Sequence, residues 1–112
     1  MDDNIFIELQ EVIRKNKKNF NKNSYTSSLL HGDADELLKK IVEEAAETAL
    51  AGRSGDIDKF KEEMADLFFH CMVIMTKYDI PIDDIIKILK KRRGISGIDE
   101  KNSRDKKDDN DD

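Results

Sequence analysis

Apolar positions recur along the chain with the spacing of helices. Ile5, Phe6, Leu9, Val12 and Ile13 form an i, i+4, i+7, i+8 stripe, which predicts an amphipathic helix over residues 4–17. The polar, asparagine-rich NFNKNSYT segment (19–26) reads as a loop, and a short helical turn fits Ser27–Leu30 before Gly32. Asp33 is a candidate N-cap, with Glu36 three residues on in a capping-box arrangement. The helix it starts carries Leu37, Leu38, Ile41, Val42, Ala45 and Ala49 as its apolar arc, and is expected to run to Ala51 and stop at Gly52. Asp56 is a candidate cap for a central helix reaching Tyr78. Asp79–Pro81 then breaks the chain, and Ile82, Ile85, Ile86 and Leu89 form a last stripe that ends at Gly94.

The central segment differs from the others. MADLFFHCMVIM (64–75) is apolar around almost its whole circumference, the pattern of a buried helix. Asp66 and His70 lie inside it, four residues apart, so burial of Asp66 is expected and requires a compensating group. No β pattern competes with this reading. Four main helices in roughly 90 residues make a small all-α bundle. A chain of this size buries only about 60–65% of its surface. A central helix with no polar side is hard to cover with so few neighbours, so a homodimer is expected to complete the bundle.

Composition narrows the class. The 112 residues are 40% charged and 38% hydrophobic, with one proline and one cysteine, Cys71, which reads as a core thiol in a reducing compartment. The net charge of −5 is partly local. Residues 105–112 (DKKDDNDD) hold five acids and two lysines and read as a solvated, disordered tail, separate from a helical domain over 1–104. The near-balanced remainder lacks the basic surface of a nucleic-acid binder. No apolar run approaches the ~20 residues of a membrane span, and the acidic start does not resemble a signal peptide, so a cytoplasmic location is expected.

The chemistry gathers in two acidic clusters, EEAAE (Glu43, Glu44, Glu47) and EEMAD (Glu62, Glu63, Asp66). Glu44 and Glu47 are three apart, as are Glu63 and Asp66, and each pair shares one face of its helix. Two such faces brought together place four carboxylates in one space, where mutual repulsion would raise their pKa values. A hard dication bound through oxygen, Mg²⁺ or Mn²⁺, resolves this. The bland alternative is a solvated helix face. Glu62 reads as solvent-facing, and His70 as a core histidine bonded to a neighbour, holding Asp66 from behind. His31 reads as a helix-end residue. A di-iron carboxylate bundle would need Glu-x-x-His pairs, which the chain lacks.

In chain order, SYTSSLLHG (24–32), KKIVEEAAE (39–47), EEMADLFFH (62–70) and RGISGIDEKNSR (93–104) resemble the motifs of the phosphoribosyl-ATP pyrophosphatase family, within the wider MazG-like all-α NTP pyrophosphohydrolases. The acids alone indicate the wider group; the flanking motifs indicate this branch. Val42 stands where the family usually has glycine, and Phe69 where tyrosine is common. The resemblance implies a MazG-like fold and a Mg²⁺-dependent hydrolysis of phosphoribosyl-ATP to phosphoribosyl-AMP and pyrophosphate, the second step of histidine biosynthesis. It implies Glu44, Glu47, Glu63 and Asp66 as metal ligands and leaves Glu43 as a candidate water-orienting base. Lys40, Lys101 and Arg104 become candidates for phosphate contact, and Ser24, Tyr25 and Thr26 for substrate contact; plain surface charge and a capping turn are the respective alternatives. Two other functions compete: a house-cleaning (d)NTP pyrophosphohydrolase and a non-catalytic helical dimerisation module.

Overall fold

The computed structural model describes residues 4–93, with side chains from Ile5 onward. Lys101, Arg104, the C-terminal motif beyond Arg93 and the acidic tail lie outside the described residues. Within them the chain forms five helices: α1 (Asn4–Lys18), α2 (Tyr25–His31), α3 (Ala34–Ser54), α4 (Ile57–Lys77) and α5 (Ile82–Arg92). There is no strand among the described residues, so the expected all-α class holds. Two compact units divide at Ile82. The first holds α1–α4; the second begins at Asp83 and carries the body of α5, a strongly amphipathic helix.

The first unit is built on the α3–α4 hairpin. Asp56 caps α4 by accepting a hydrogen bond from the Lys59 amide, as expected. Asp33 caps α3 by accepting from the Asp35 amide. Gly52 does not end α3, which continues to Ser54 and stops at Gly55. Gly55 adopts the left-handed conformation (φ 83°) that glycine enters without a Cβ penalty. Gly52 serves packing instead, because a Cβ there would meet the Phe60 ring at 3.1 Å. α2 begins at Tyr25, two residues before the expected turn, because Ser24 caps it by accepting from the Ser27 amide.

Ile13, Leu30, Leu37, Met72 and Val73 form the core, drawn from α1, α2, α3 and α4. Around it, polar side chains tie segment ends together. The Lys17 ammonium donates to the carbonyls of Thr76 and Lys77, at the C-terminus of α4, and pairs with Asp79 at 2.6 Å. Lys77 donates to the carbonyls of Leu30 and Gly32, where α2 ends. Gln10, fully buried on α1, donates to Thr76 Oγ1 and the Ile80 carbonyl and accepts from the Ile82 amide. This glutamine therefore pins the turn that follows α4. Replacing it by leucine strands the Ile80 carbonyl and the Ile82 amide, while Thr76 keeps its bond to the Met72 carbonyl, and is expected to cost about 1–3 kcal/mol, read as a lower urea midpoint.

Two further sequence expectations need correction. The central helix is not covered all round: Phe68 is 50% exposed and Asp66 is exposed, because α1, α2 and α3 cover only part of α4. The inner face of α3 is also rotated from the expected arc. Leu37, Glu44, Thr48 and Ala51 are buried, whereas Leu38, Val42, Ala45 and Ala49 face outward. The α3–α4 packing thus takes a carboxylate inward and leaves an apolar stripe outside.

Candidate active site

The hairpin register assembles the acids. Gly52 lies against Phe60, Glu47 beside Glu63 and Glu44 beside Asp66, so the two helices run in opposite directions with their acidic turns face to face. Carboxylate oxygens of Glu44, Glu63 and Asp66 all lie within 4.8 Å of one another. Glu47 is close enough to Glu63 to act on it both as a charge and as a hydrogen-bond partner. Three of the four candidate ligands therefore converge on one point, and Glu47 stands beside Glu63. Glu43 and Glu62 are exposed and lie outside this cluster.

The cluster is electrostatically incomplete. Glu44 is 5% exposed, and Lys40 pairs with its Oε1 at 3.3 Å, yet its buried Oε2 has no hydrogen-bond partner. The buried Oε2 of Glu63 has none either. Buried polar atoms left without partners are uncommon in native proteins and mark sites where an ion or water belongs. The Glu63 carboxyl is raised above the usual carboxylate range, first by desolvation, then by the charge and hydrogen bonding of Glu47 and the charges of Glu44 and Asp66. Lys40 is raised as well, chiefly by its hydrogen bond to Glu44 and then by electrostatic interaction with Tyr25 and Glu44. An all-carboxylate donor set with two unsatisfied oxygens fits a hard dication. Beside the cluster, Glu47, Leu50, Ala51, Ser54, Lys59 and Glu63 line an open cavity of about 530 Å³.

The remaining candidates are placed unevenly. Ser24 acts as the α2 cap and also donates to Asn16 Oδ1, so its hydroxyl is engaged in the capping turn. Thr26 is half-buried. Tyr25 is different: its hydroxyl lies 2.9 Å from His70 Nε2. His70 was legible only as a core histidine with some neighbour, since no spacing rule links residues 45 apart. His31 does end α2, where its Nε2 lies 3.1 Å from the Asn16 carbonyl. Desolvation pushes the Cys71 thiol up, consistent with a structural role.

Fold and site together define an all-α protein with a carboxylate cluster built on a helical hairpin. Residues 6–93 match the family model described as phosphoribosyl-ATP pyrophosphohydrolase. The chain is 47% identical to phosphoribosyl-ATP pyrophosphatase of Pelobacter propionicus, over 83% of this chain and 86% of that one. It is 43% identical to the enzyme of the same name from Geotalea daltonii (95% and 100%), and 42% to that of Nitrosospira multiformis (92% and 85%). The chain belongs to the phosphoribosyl-ATP pyrophosphohydrolase family.

Proposed function

We propose that this protein hydrolyses phosphoribosyl-ATP to phosphoribosyl-AMP and pyrophosphate, the second step of histidine biosynthesis, using Mg²⁺ held by Glu44, Glu47, Glu63 and Asp66. The observation that supports it most is the convergence of Glu44, Glu63 and Asp66, with two sealed, unpartnered oxygens and Glu47 beside Glu63, in a member of this family. Mn²⁺ suits the same oxygen donors. When bound, the dication would supply charge neutralisation for the phosphates and lower the pKa of a bound water.

The protein's own groups do the rest. The reaction joins a water oxygen to phosphorus at the α–β junction and breaks the bridging P–O bond, so pyrophosphate leaves with the bridging oxygen or gains the water's oxygen according to which phosphorus is attacked. Either route requires a positioned water and a place for its proton. A carboxylate cluster with Glu44 buried and Asp66 open to solvent can do both, and Lys40 would keep positive charge beside Glu44 for the phosphates. Glu43, on the exposed side of α3, is retained as the candidate water-orienting base. Among the described residues no helix is long and apolar enough to cross a membrane. A cytoplasmic location suits the pathway.

The reading includes a homodimer. Leu38, Val42, Ala45 and Ala49 form an exposed i, i+4, i+7, i+11 stripe on α3, with Val42 at 68% exposure and Phe68 exposed on the adjoining helix. A second copy of the same hairpin would bury that stripe with helix-bundle packing. Val42→Glu is expected to halve the mass measured by light scattering while leaving the far-UV helical signal in place. An unchanged mass would reject this face as the interface.

The activity is tested by pyrophosphate release from phosphoribosyl-ATP, with ATP and dNTPs alongside, with and without Mg²⁺. Mg²⁺-dependent release from phosphoribosyl-ATP alone is expected. Release mainly from dNTPs would overturn the substrate, and no release from a folded protein would overturn the enzyme reading.

A further inference from the structure

His70 is 5% exposed, sits one turn beyond Asp66 on α4, and has a polar partner on each ring nitrogen. Its Nδ1 lies 2.7 Å from the Asp66 carbonyl oxygen and its Nε2 lies 2.9 Å from the Tyr25 hydroxyl. A carbonyl oxygen only accepts, so Nδ1 carries the proton. In the neutral ring Nε2 is then an acceptor, and Tyr25 must be the donor. The Tyr25 and His70 rings also pack edge to face, with centroids 5.9 Å apart.

This pairing has two consequences. Tyr25 opens a helix of only seven residues and is 53% exposed, so little else restrains its side chain. His70 supplies that restraint and anchors it to the backbone of a residue in the carboxylate cluster. The second consequence is chemical. With its proton committed to His70, the phenol oxygen presents lone pairs outward. It can accept from a substrate hydroxyl, but it has no proton to give a phosphate oxygen. Through His70 the phenol is joined to the backbone of Asp66, one of the three converging acids, which places it beside the same cluster.

We propose that His70 is a positioning residue that aims the Tyr25 hydroxyl, as a hydrogen-bond acceptor, at a neutral donor (a hydroxyl or amine) of the nucleoside part of the substrate. This rests on the proposed hydrolysis of phosphoribosyl-ATP. It assigns the tyrosine to recognition of the nucleoside part and not to phosphate binding or to the chemical step.

The test is steady-state kinetics on the full chain with phosphoribosyl-ATP and saturating Mg²⁺. Tyr25→Phe removes the acceptor. His70→Asn keeps a donor near the Asp66 carbonyl but does not reach Tyr25; His70→Gln reaches the position of Nε2 with its side-chain carbonyl. Tyr25→Phe and His70→Asn are each expected to raise KM about tenfold with kcat changed less than about twofold. His70→Gln should recover most of the KM, and the Tyr25→Phe/His70→Asn double variant should be no worse than Tyr25→Phe alone. A histidine that serves packing alone would lower Tm, leave KM unchanged and add to Tyr25→Phe. Additive effects, or a fall in kcat at constant KM, would overturn the assignment. Should His70→Asn not fold, Tyr25→Phe and His70→Gln decide it: the expected pair is a raised KM in the first and a near-normal KM in the second. A wild-type chain inactive on phosphoribosyl-ATP would overturn the substrate reading and this inference together, which is distinct from activity with unaltered KM in the variants.

Discussion

Asp66→Asn is expected to reduce kcat/KM for pyrophosphate release by on the order of a thousandfold, with Tm changed by no more than a degree or two. The two halves of this result have separate causes. The carboxylate is one of three whose oxygens lie within 4.8 Å of one another, so its charge belongs to the proposed dication site. Its side chain is nevertheless exposed, and amide replaces carboxylate at nearly equal volume, so the fold has little to lose. The backbone carbonyl that His70 contacts is untouched. Assay over a range of Mg²⁺ concentrations separates weakened metal binding, which excess metal would offset, from misplacement of the bound ion, which it would not. Full activity in Asp66→Asn would remove Asp66 from the site.

Glu63→Gln is expected to separate stability from function in the opposite direction. Without metal the variant should melt a few degrees above wild type at pH 8. It should also lose most of the stabilisation that added Mg²⁺ is expected to give the wild-type chain if the proposed site binds it. The reason is the raised carboxyl of Glu63, hemmed in by desolvation and by Glu47, Glu44 and Asp66. A carboxyl raised on folding binds its proton more tightly in the native state than in the unfolded chain. Stability from this group is therefore greatest at low pH and declines as pH rises from the ordinary carboxylate range through the raised value. The advantage of Glu63→Gln over wild type should shrink as pH falls, because wild type then becomes protonated at the same position. Thermal melts of both proteins at several pH values, with and without Mg²⁺, check each part. An apo variant less stable than wild type at pH 8 would mean that Glu63 contributes packing or bonding that outweighs the repulsion.

Such metal-free strain accompanies an active site more naturally than a solvated helix face. A solvated face would leave no buried oxygen unpartnered, yet Glu44 and Glu63 each have one. This distinguishes the cluster from a fully exposed acid such as Glu62, which lies outside it.

Local structure was largely readable from the chain because its signals are local. Asp56 before an apolar run, Pro81 before Ile82 and lysines at helix ends each act within one turn, and α4 and α5 follow from them. The spacing of Glu44 with Glu47, and of Glu63 with Asp66, likewise fixes which acids share a helix face, whatever surrounds them. Periodicity does not say which part of a broad apolar arc turns inward. On α3 the tertiary packing buried Glu44 and Thr48 and left Val42 and Ala49 outside, since the register against α4 decides that rotation. For the same reason the costly buried carboxylate is Glu44, and not the Asp66 that an all-apolar run suggested. Gly52 carried the mark of a helix stop, but its lack of a Cβ accommodates Phe60 from across the hairpin. Contacts between distant residues leave no periodic trace: Gln10 with Ile82 and Tyr25 with His70 exist only once the helices are packed. The sequence by itself determined the helices, their acidic faces and the family. Tertiary structure alone decided which carboxylate is sealed from water and which tyrosine meets the histidine, because desolvation and long-range hydrogen bonding depend on what the folded chain places alongside.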